Sequence, residues 1–135
     1  MSRSPSGARV LVVEDRDEVQ AIAVAILSRL SCHVRVAANA RAALAAIEEG
    51  ETIDIVFADI RLPGGVSGLD LARTVRQRWP EIKILLTSGD PGTDDVRGAA
   101  RADAFPLVAK PYRPGDLAGA IRQLFEDRTP AAKTA

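Results

Sequence analysis

One cysteine, Cys32, stands in 135 residues. A single thiol excludes an internal disulfide framework and fits the reducing cytoplasm, the expected location. Its neighbour His33 does not make it a metal site. Two adjacent ligands with no others nearby are a poor cage, so Cys32 is expected to be a packed core residue. Charge of one sign is also lacking, since 18 Lys plus Arg balance 18 Asp plus Glu. That removes the basic footprint of direct nucleic-acid binding or of a membrane-surface protein. No apolar run approaches the roughly 20 residues needed to span a bilayer, so no membrane insertion is expected. The start "MSRSPSGA" is polar and lacks the apolar stretch of a secretory signal.

What remains is a chain of ordinary single-domain size, 47% apolar and 27% charged, enough to bury a real core. Residues 1–8 are expected to be a disordered lead, 9–127 the folded domain and 128–135 a flexible tail. Strand-like apolar runs occur at Arg9–Val13, His33–Ala37, 53–58, 82–86 and 104–108. Segments of helical spacing separate them. Val19, Ile22, Ala23, Ile26, Leu27 and Leu30 share one helix face. Asn39 suits the N-cap of a second helix with Ala43, Leu44 and Ile47 inward and a stop at Gly50. Ser67 caps a third, with Leu71, Val75 and a structural Trp79 inward before Pro80. The last runs from 114 to about 125, opening on Pro114 and facing Leu117, Ala120, Ile121 and Leu124 inward.

Five strands alternating with helices predict an α/β domain with a parallel sheet and five helices. "VLVV", "IDIVFA" and "IKILL" read as central strands covered on both faces. "HVRVA" alternates as an edge does, and Pro106 confines the fifth strand to the other edge. The result is the flavodoxin-like, doubly wound order 2-1-3-4-5, whose ligand crevice opens at the carboxyl ends of strands one and three.

Right-handed crossovers bring all the carboxyl ends to one sheet edge. Strand one ends in Glu14 and Asp15, and strand three in Asp59. Strand four delivers Thr87 and Ser88, and strand five leads into Lys110 and Pro111. Each has an ordinary alternative: Asp15 or Asp17 as helix cap, Asp59 as turn residue, Lys110 as solvated lysine. Their joint arrival at one crevice argues for chemistry. Clustered carboxylates raise one another's pKa unless a cation joins them. Mg²⁺, a hard oxygen-seeking ion that also binds phosphoryl oxygens, is the natural partner. A metal, a carboxylate nucleophile, a hydroxyl donor and a lysine together make phosphoryl transfer.

The motifs "VVED", "FADIRLPGGVSGLDLA", "ILLTSGD" and "VAKPY", in that order over 9–125, resemble the receiver domain of two-component response regulators. Their wording is closer to stand-alone receivers or those of hybrid kinases than to receivers fused to DNA-binding domains. The resemblance implies a signalling domain that helps catalyse its own phosphorylation and dephosphorylation, and not a turnover enzyme. Asp59 would accept a phosphoryl group from a histidine kinase or histidine phosphotransfer protein. Asp15, Asp59 and the backbone carbonyl of Arg61 would hold Mg²⁺, with Glu14 reaching it through water. Thr87 and Lys110 would meet phosphoryl oxygens, Ser88 would stay small beside them, and the Lys110–Pro111 bond would be cis. The signal would leave by the faces of the fourth helix, fifth strand and fifth helix to a downstream protein. Kinase docking would use the first helix and the Lys110 loop.

Two rival readings are a small Mg²⁺-dependent phosphatase with an aspartyl nucleophile and a flavodoxin-like mononucleotide-binding module. The first wants a carboxylate where Arg61 stands; the second wants a hydroxyl-rich loop where Glu14 and Asp15 stand. Departures from the family pattern lie elsewhere. Leu107 occupies the position of the usual switching aromatic and has neither ring nor hydroxyl. The fourth-helix stretch "GTDDVRGAARA" offers only Val96, Ala99 and Ala100 as inward residues, and Gly98 weakens it. It is either a short, weakly anchored helix or one packed flat by small residues. Reordering of 89–100, in place of an aromatic flip, is the expected response to the roughly −1.5 to −2 charges of a phosphoryl group.

Overall fold

The apolar run Arg9–Val13 forms β1, and its neighbours on both sides are parallel strands. A computed structural model describes residues 6–89, 98, 100 and 103–126. Along the chain, β1 is followed by α1 (Asp17–Arg29), β2 (His33–Ala37), α2 (Ala40–Glu48) and β3 (Ile55–Asp59). Then come α3 (Gly68–Arg78), β4 (Lys83–Ser88), β5 (Leu107–Ala109) and a C-terminal helix (Pro114–Glu126). The sheet order is β2-β1-β3-β4-β5, all parallel, as the strand compositions predict. Four helices occur among the described residues where five are expected. Gly98 and Ala100 have helical backbone, but most of the expected fourth helix lies outside the described residues.

Alternation along the central strands sends successive side chains to opposite faces, which gives two cores. Leu11, Val13, Val56, Ala58, Ile84 and Leu86 pack with Ala43 and Ile47 of α2 and Leu71 and Val75 of α3. Val10, Val12, Ile55, Phe57 and Leu85 pack with Ala23, Ile26 and Leu27 of α1 and Leu117, Ile121 and Phe125 of the last helix. Leu85 is fully buried at the centre of β4. Leu85→Ala is expected to cost about 3 kcal/mol, through lost burial plus the cavity left behind. Urea denaturation measures it, and a loss below about 1 kcal/mol would mean the core collapses around the gap.

Helix ends follow local chemistry. Asn39 Oδ1 accepts from the Ala42 amide at 2.8 Å, and Ser67 and Asp70 form a reciprocal capping box at α3. At α1 neither Asp15 nor Asp17 caps: the N-cap is Arg16, without a side-chain bond. Instead Glu14 Oε2 accepts from the Arg16 amide at 3.1 Å. Ile22 is a correction to the helical pattern, for it is 51% exposed instead of inward. The first turns of α1 stand over a cleft at the sheet edge, so only Ala23, Ile26 and Leu27 reach the core.

Strand limits shift for physical reasons too. Ile53 and Ile82 are buried but precede the paired segments, which extend instead through Asp59 and Ser88. At β5, Pro106 cannot donate, so the ladder begins at Leu107, although the Pro106 carbonyl accepts from the Leu86 amide at 2.9 Å. Residues 7 and 8 are fastened to the sheet: the Gly7 amide donates to Ser31 and the Ala8 carbonyl accepts from His33. Cys32 is buried in the core of the α1 face. Among the described residues no helix is long and apolar enough to cross a membrane.

Candidate functional site

Two buried acids face one lysine at the carboxyl edge of the sheet. Glu14 follows β1 and is 3% exposed, while Asp59 ends β3 and is 7% exposed. Lys110, just after β5, reaches both: its Nζ lies 2.6 Å from Asp59 Oδ2 and 3.1 Å from Glu14 Oε1. Strand topology makes this possible, since β1 and β3 are adjacent and β5 ends beside β4. The Lys110 amide donates to the Ser88 carbonyl at 3.0 Å, and the following bond to Pro111 is cis. The Arg61 amide donates to Asp59 Oδ1 at 3.0 Å, so each Asp59 oxygen already has a donor.

Burial dominates the electrostatics of Glu14. Burial lifts the Glu14 carboxyl above its ordinary range, and the Asp59 charge adds to this against bonds from Lys110 and Arg16. Burial pulls the Lys110 ammonium down, but its bonds to Asp59 and Glu14 prevail and raise it. The Tyr112 phenol is pushed up to about 12 by burial, with Glu14 and Asp59 contributing. Tyr112 packs edge-on against Phe57 with ring centroids 5.8 Å apart.

Thr87 pairs with Asp59 in the β3–β4 register and is 3% exposed. Its Oγ1 is buried without a hydrogen-bond partner among the described residues. A buried hydroxyl without a partner is costly. Glu14, Asp59, Thr87 and Tyr112 line a small inner space behind the acids. In front opens a cleft of about 730 Å³, lined by Asp15, Arg16, Ile22, Arg61, Lys110 and Tyr112, among others.

Glu14, Asp59 and Lys110 are thus joined in one network, with Thr87 and Ser88 buried beside it. Asp15 is exposed on the cleft wall, as is Arg61. Among the described residues no three His, Cys, Asp or Glu side chains are gathered as a ligand cluster. The donor set still suits Mg²⁺: the hard-oxygen carboxylates Asp15 and Asp59 line one cleft, and Asp59 shares the Lys110 ammonium with Glu14 behind it.

Gly68 is a site residue that pattern reading passes over. A Cβ there would lie 2.1 Å from the Asp59 carbonyl oxygen, so only glycine lets α3 start against the end of β3. Its signal in the sequence is a glycine directly after the Ser67 cap. Tyr112, at the close of the motif "VAKPY", is another site residue that periodicity does not single out.

A doubly wound parallel sheet with acids, a hydroxyl and a lysine at its switch point defines an α/β fold whose polar site lies where such sheets bind ligands. The response regulator receiver domain model matches residues 10–122, and the chain belongs to that family. It is a signalling domain of two-component systems, not a classical enzyme. Response regulator protein PilR of Pseudomonas aeruginosa is 29% identical over 127 residues, 94% of this chain and 28% of PilR. The chain spans about a quarter of the length of such curated relatives. Among solved structures, a receiver domain protein from Clostridium thermocellum superposes with a TM-score of 0.78 at 25% identity, covering 88% of this chain and 94% of that one. The receiver domain of a Pseudomonas aeruginosa sensor histidine kinase, which has magnesium coordinated in its active-site cleft, has a TM-score of 0.78 at 22% identity. It covers 90% of this chain and 100% of that one.

Proposed function

We propose that Asp59 accepts a phosphoryl group from the phosphohistidine of a histidine kinase or histidine phosphotransfer protein. The observation that carries this reading is Thr87 Oγ1, buried and without a hydrogen-bond partner among the described residues, beside an Asp59 already held by Lys110. An Asp59 carboxylate oxygen attacks phosphorus, the P–N bond breaks, and its electron pair stays on the imidazole nitrogen. Lys110 then pairs with a phosphoryl oxygen, and the Thr87 hydroxyl donates to another. Neither contact forms fully until charge moves onto Asp59, so both favour the transfer itself. Mg²⁺ would be held by Asp15, Asp59 and the Arg61 carbonyl, with Glu14 acting through water, and would supply neutralisation of phosphoryl charge. The same residues would support transfer from a small acyl phosphate, and slow hydrolysis in which water attacks phosphorus to return the Asp59 carboxylate and inorganic phosphate.

The half-exposed Ile22 beside the cleft is suited to a partner's apolar surface, next to the Lys110 loop. Output would leave by the β5 and C-terminal helix side to a downstream protein, without direct contact to nucleic acid. Residues 9–127 would be the working unit, acting in the cytoplasm.

Incubation with acetyl phosphate and Mg²⁺, read by intact mass, tests the reading. The wild-type chain should gain one phosphoryl group and Asp59→Asn none. A gain that persists in Asp59→Asn removes Asp59 from this role. Thr87→Ala should retain the gain but reach it roughly 100-fold more slowly, the usual cost of one oxyanion donor. An unchanged rate would take Thr87 out of the transfer.

A further inference from the structure

Leu107 leaves β5 without an aromatic lever, yet the stretch ahead of β5 is tied down from another direction. Arg73 Nε of α3 donates to Asp103 Oδ2 at 2.6 Å. One turn on, Arg76 donates to the Asp103 carbonyl, and its guanidinium lies 3.8 Å from the centroid of the Phe105 ring. Between them Ala104 has φ of 61°, a left-handed conformation that costs a residue with a Cβ. Something must hold it there. Phe105 is buried, and its amide donates to the Ala100 carbonyl at 2.9 Å, so the grip extends to Ala100.

From this stretch the path to the site is short. The Pro106 carbonyl binds the Leu86 amide, Leu107 pairs with Leu86, Val108 pairs with Thr87, and the Lys110 amide binds Ser88. Any displacement of Asp103–Phe105 along the sheet edge therefore reaches the residues that carry Thr87 and Lys110. We infer that Arg73 and Arg76 form a clamp on 103–105 that restrains β5 and sets the balance between resting and phosphorylated arrangements. The inference rests on the phosphoryl-accepting reading of Asp59. The clamped arrangement is the one in which Lys110 is bonded to Asp59 and Thr87 Oγ1 has no partner among the described residues. The clamp thus favours the resting side, and loosening it favours the phosphorylated one. Linkage is reciprocal, so a clamp that biases the site must be biased by it to the same degree.

Arg76→Met keeps the aliphatic stem and removes the charge and the planar stack, and Arg73→Met does the same for the ion pair. The clamp is partly exposed, so its effect should be about threefold to tenfold. Amide exchange at Phe105 and Leu86 should quicken by that factor in Arg76→Met, with Val12 in β1 unchanged. Affinity for beryllofluoride with Mg²⁺ should tighten by a similar factor. Arg73→Met and Asp103→Asn should each show a smaller effect, and the double variant should match the larger single one. Unchanged exchange at Phe105 overturns the clamp. Faster exchange with unchanged beryllofluoride affinity overturns its link to the site and leaves a structural contact. A wild-type chain that fails to bind beryllofluoride, or an Asp59→Asn variant that binds it equally, overturns the reading of Asp59 and the coupling with it. The exchange result still shows whether the clamp holds.

Discussion

Gly68→Ala is expected to lower stability by about 3 kcal/mol or more and to abolish phosphoryl acceptance, although residue 68 carries no functional group. The added Cβ would meet the Asp59 carbonyl oxygen at 2.1 Å, its carbon at 2.8 Å and Ile60 Cα at 2.9 Å. All three are backbone atoms of a buried strand end and cannot rotate aside. The Gly68 amide also donates to the Ile60 carbonyl at 2.8 Å, which pins the first turn of α3 in place. Relief requires one of two movements. Either α3 slides outward and breaks its capping box, or the end of β3 shifts and carries Asp59 away from Lys110. Urea midpoints and phosphoryl incorporation should therefore fall together. A variant of near wild-type stability would show that α3 is not seated on β3 as described.

Lys110→Met is expected to lose about 3 kcal/mol when Mg²⁺ is absent and to recover much of it when Mg²⁺ is added. Glu14 and Asp59 are both buried, and Lys110 is the cation they share. Removing one member of a buried ionic group costs about 3–5 kcal/mol, because the remaining charges lose their partner. The lysine is itself partly solvated, which places the expectation at the lower end. A bound divalent ion would neutralise the same acids, so each tenfold rise in Mg²⁺ above its Kd should add about 1.4 kcal/mol. The wild type, with its own ammonium in place, should gain less at equal Mg²⁺. Thermal or urea denaturation over a Mg²⁺ series reads both effects. Equal responses in the two proteins would contradict the claim that lysine and metal serve the same charges.

Much of this site was legible because it lies where strands end. A parallel sheet sends every carboxyl end to one edge, so Glu14, Asp59, Thr87 and Lys110 follow from placing β1, β3, β4 and β5. Strand order followed from composition for the same reason, since burial on both faces demands the unbroken runs of "VLVV" and "IKILL". Less was legible where an outcome depends on distance. Helical periodicity puts Ile22 on the face of Ile26, but not how far α1 overhangs the sheet, and that overhang exposes Ile22. Composition puts three acids near the crevice. It does not show that Asp15 turns to the cleft wall while Glu14 goes inward to meet a lysine 96 residues away. Gly68 was missed because a close approach of two backbones leaves no periodic trace. Nothing in the spacing of Arg73 and Arg76 points to a partner, and the turn at Ala104 brings Asp103 and Phe105 to them.

Which carboxylate reacts is tested most directly by borohydride trapping followed by peptide sequencing. An aspartyl phosphate is an acyl phosphate, and hydride reduction converts it to the alcohol, leaving homoserine in place of aspartate. After treatment with acetyl phosphate and Mg²⁺, homoserine should appear at position 59 and at no other acid. Homoserine at position 15 or 17, with Asp59 recovered intact, would contradict the account.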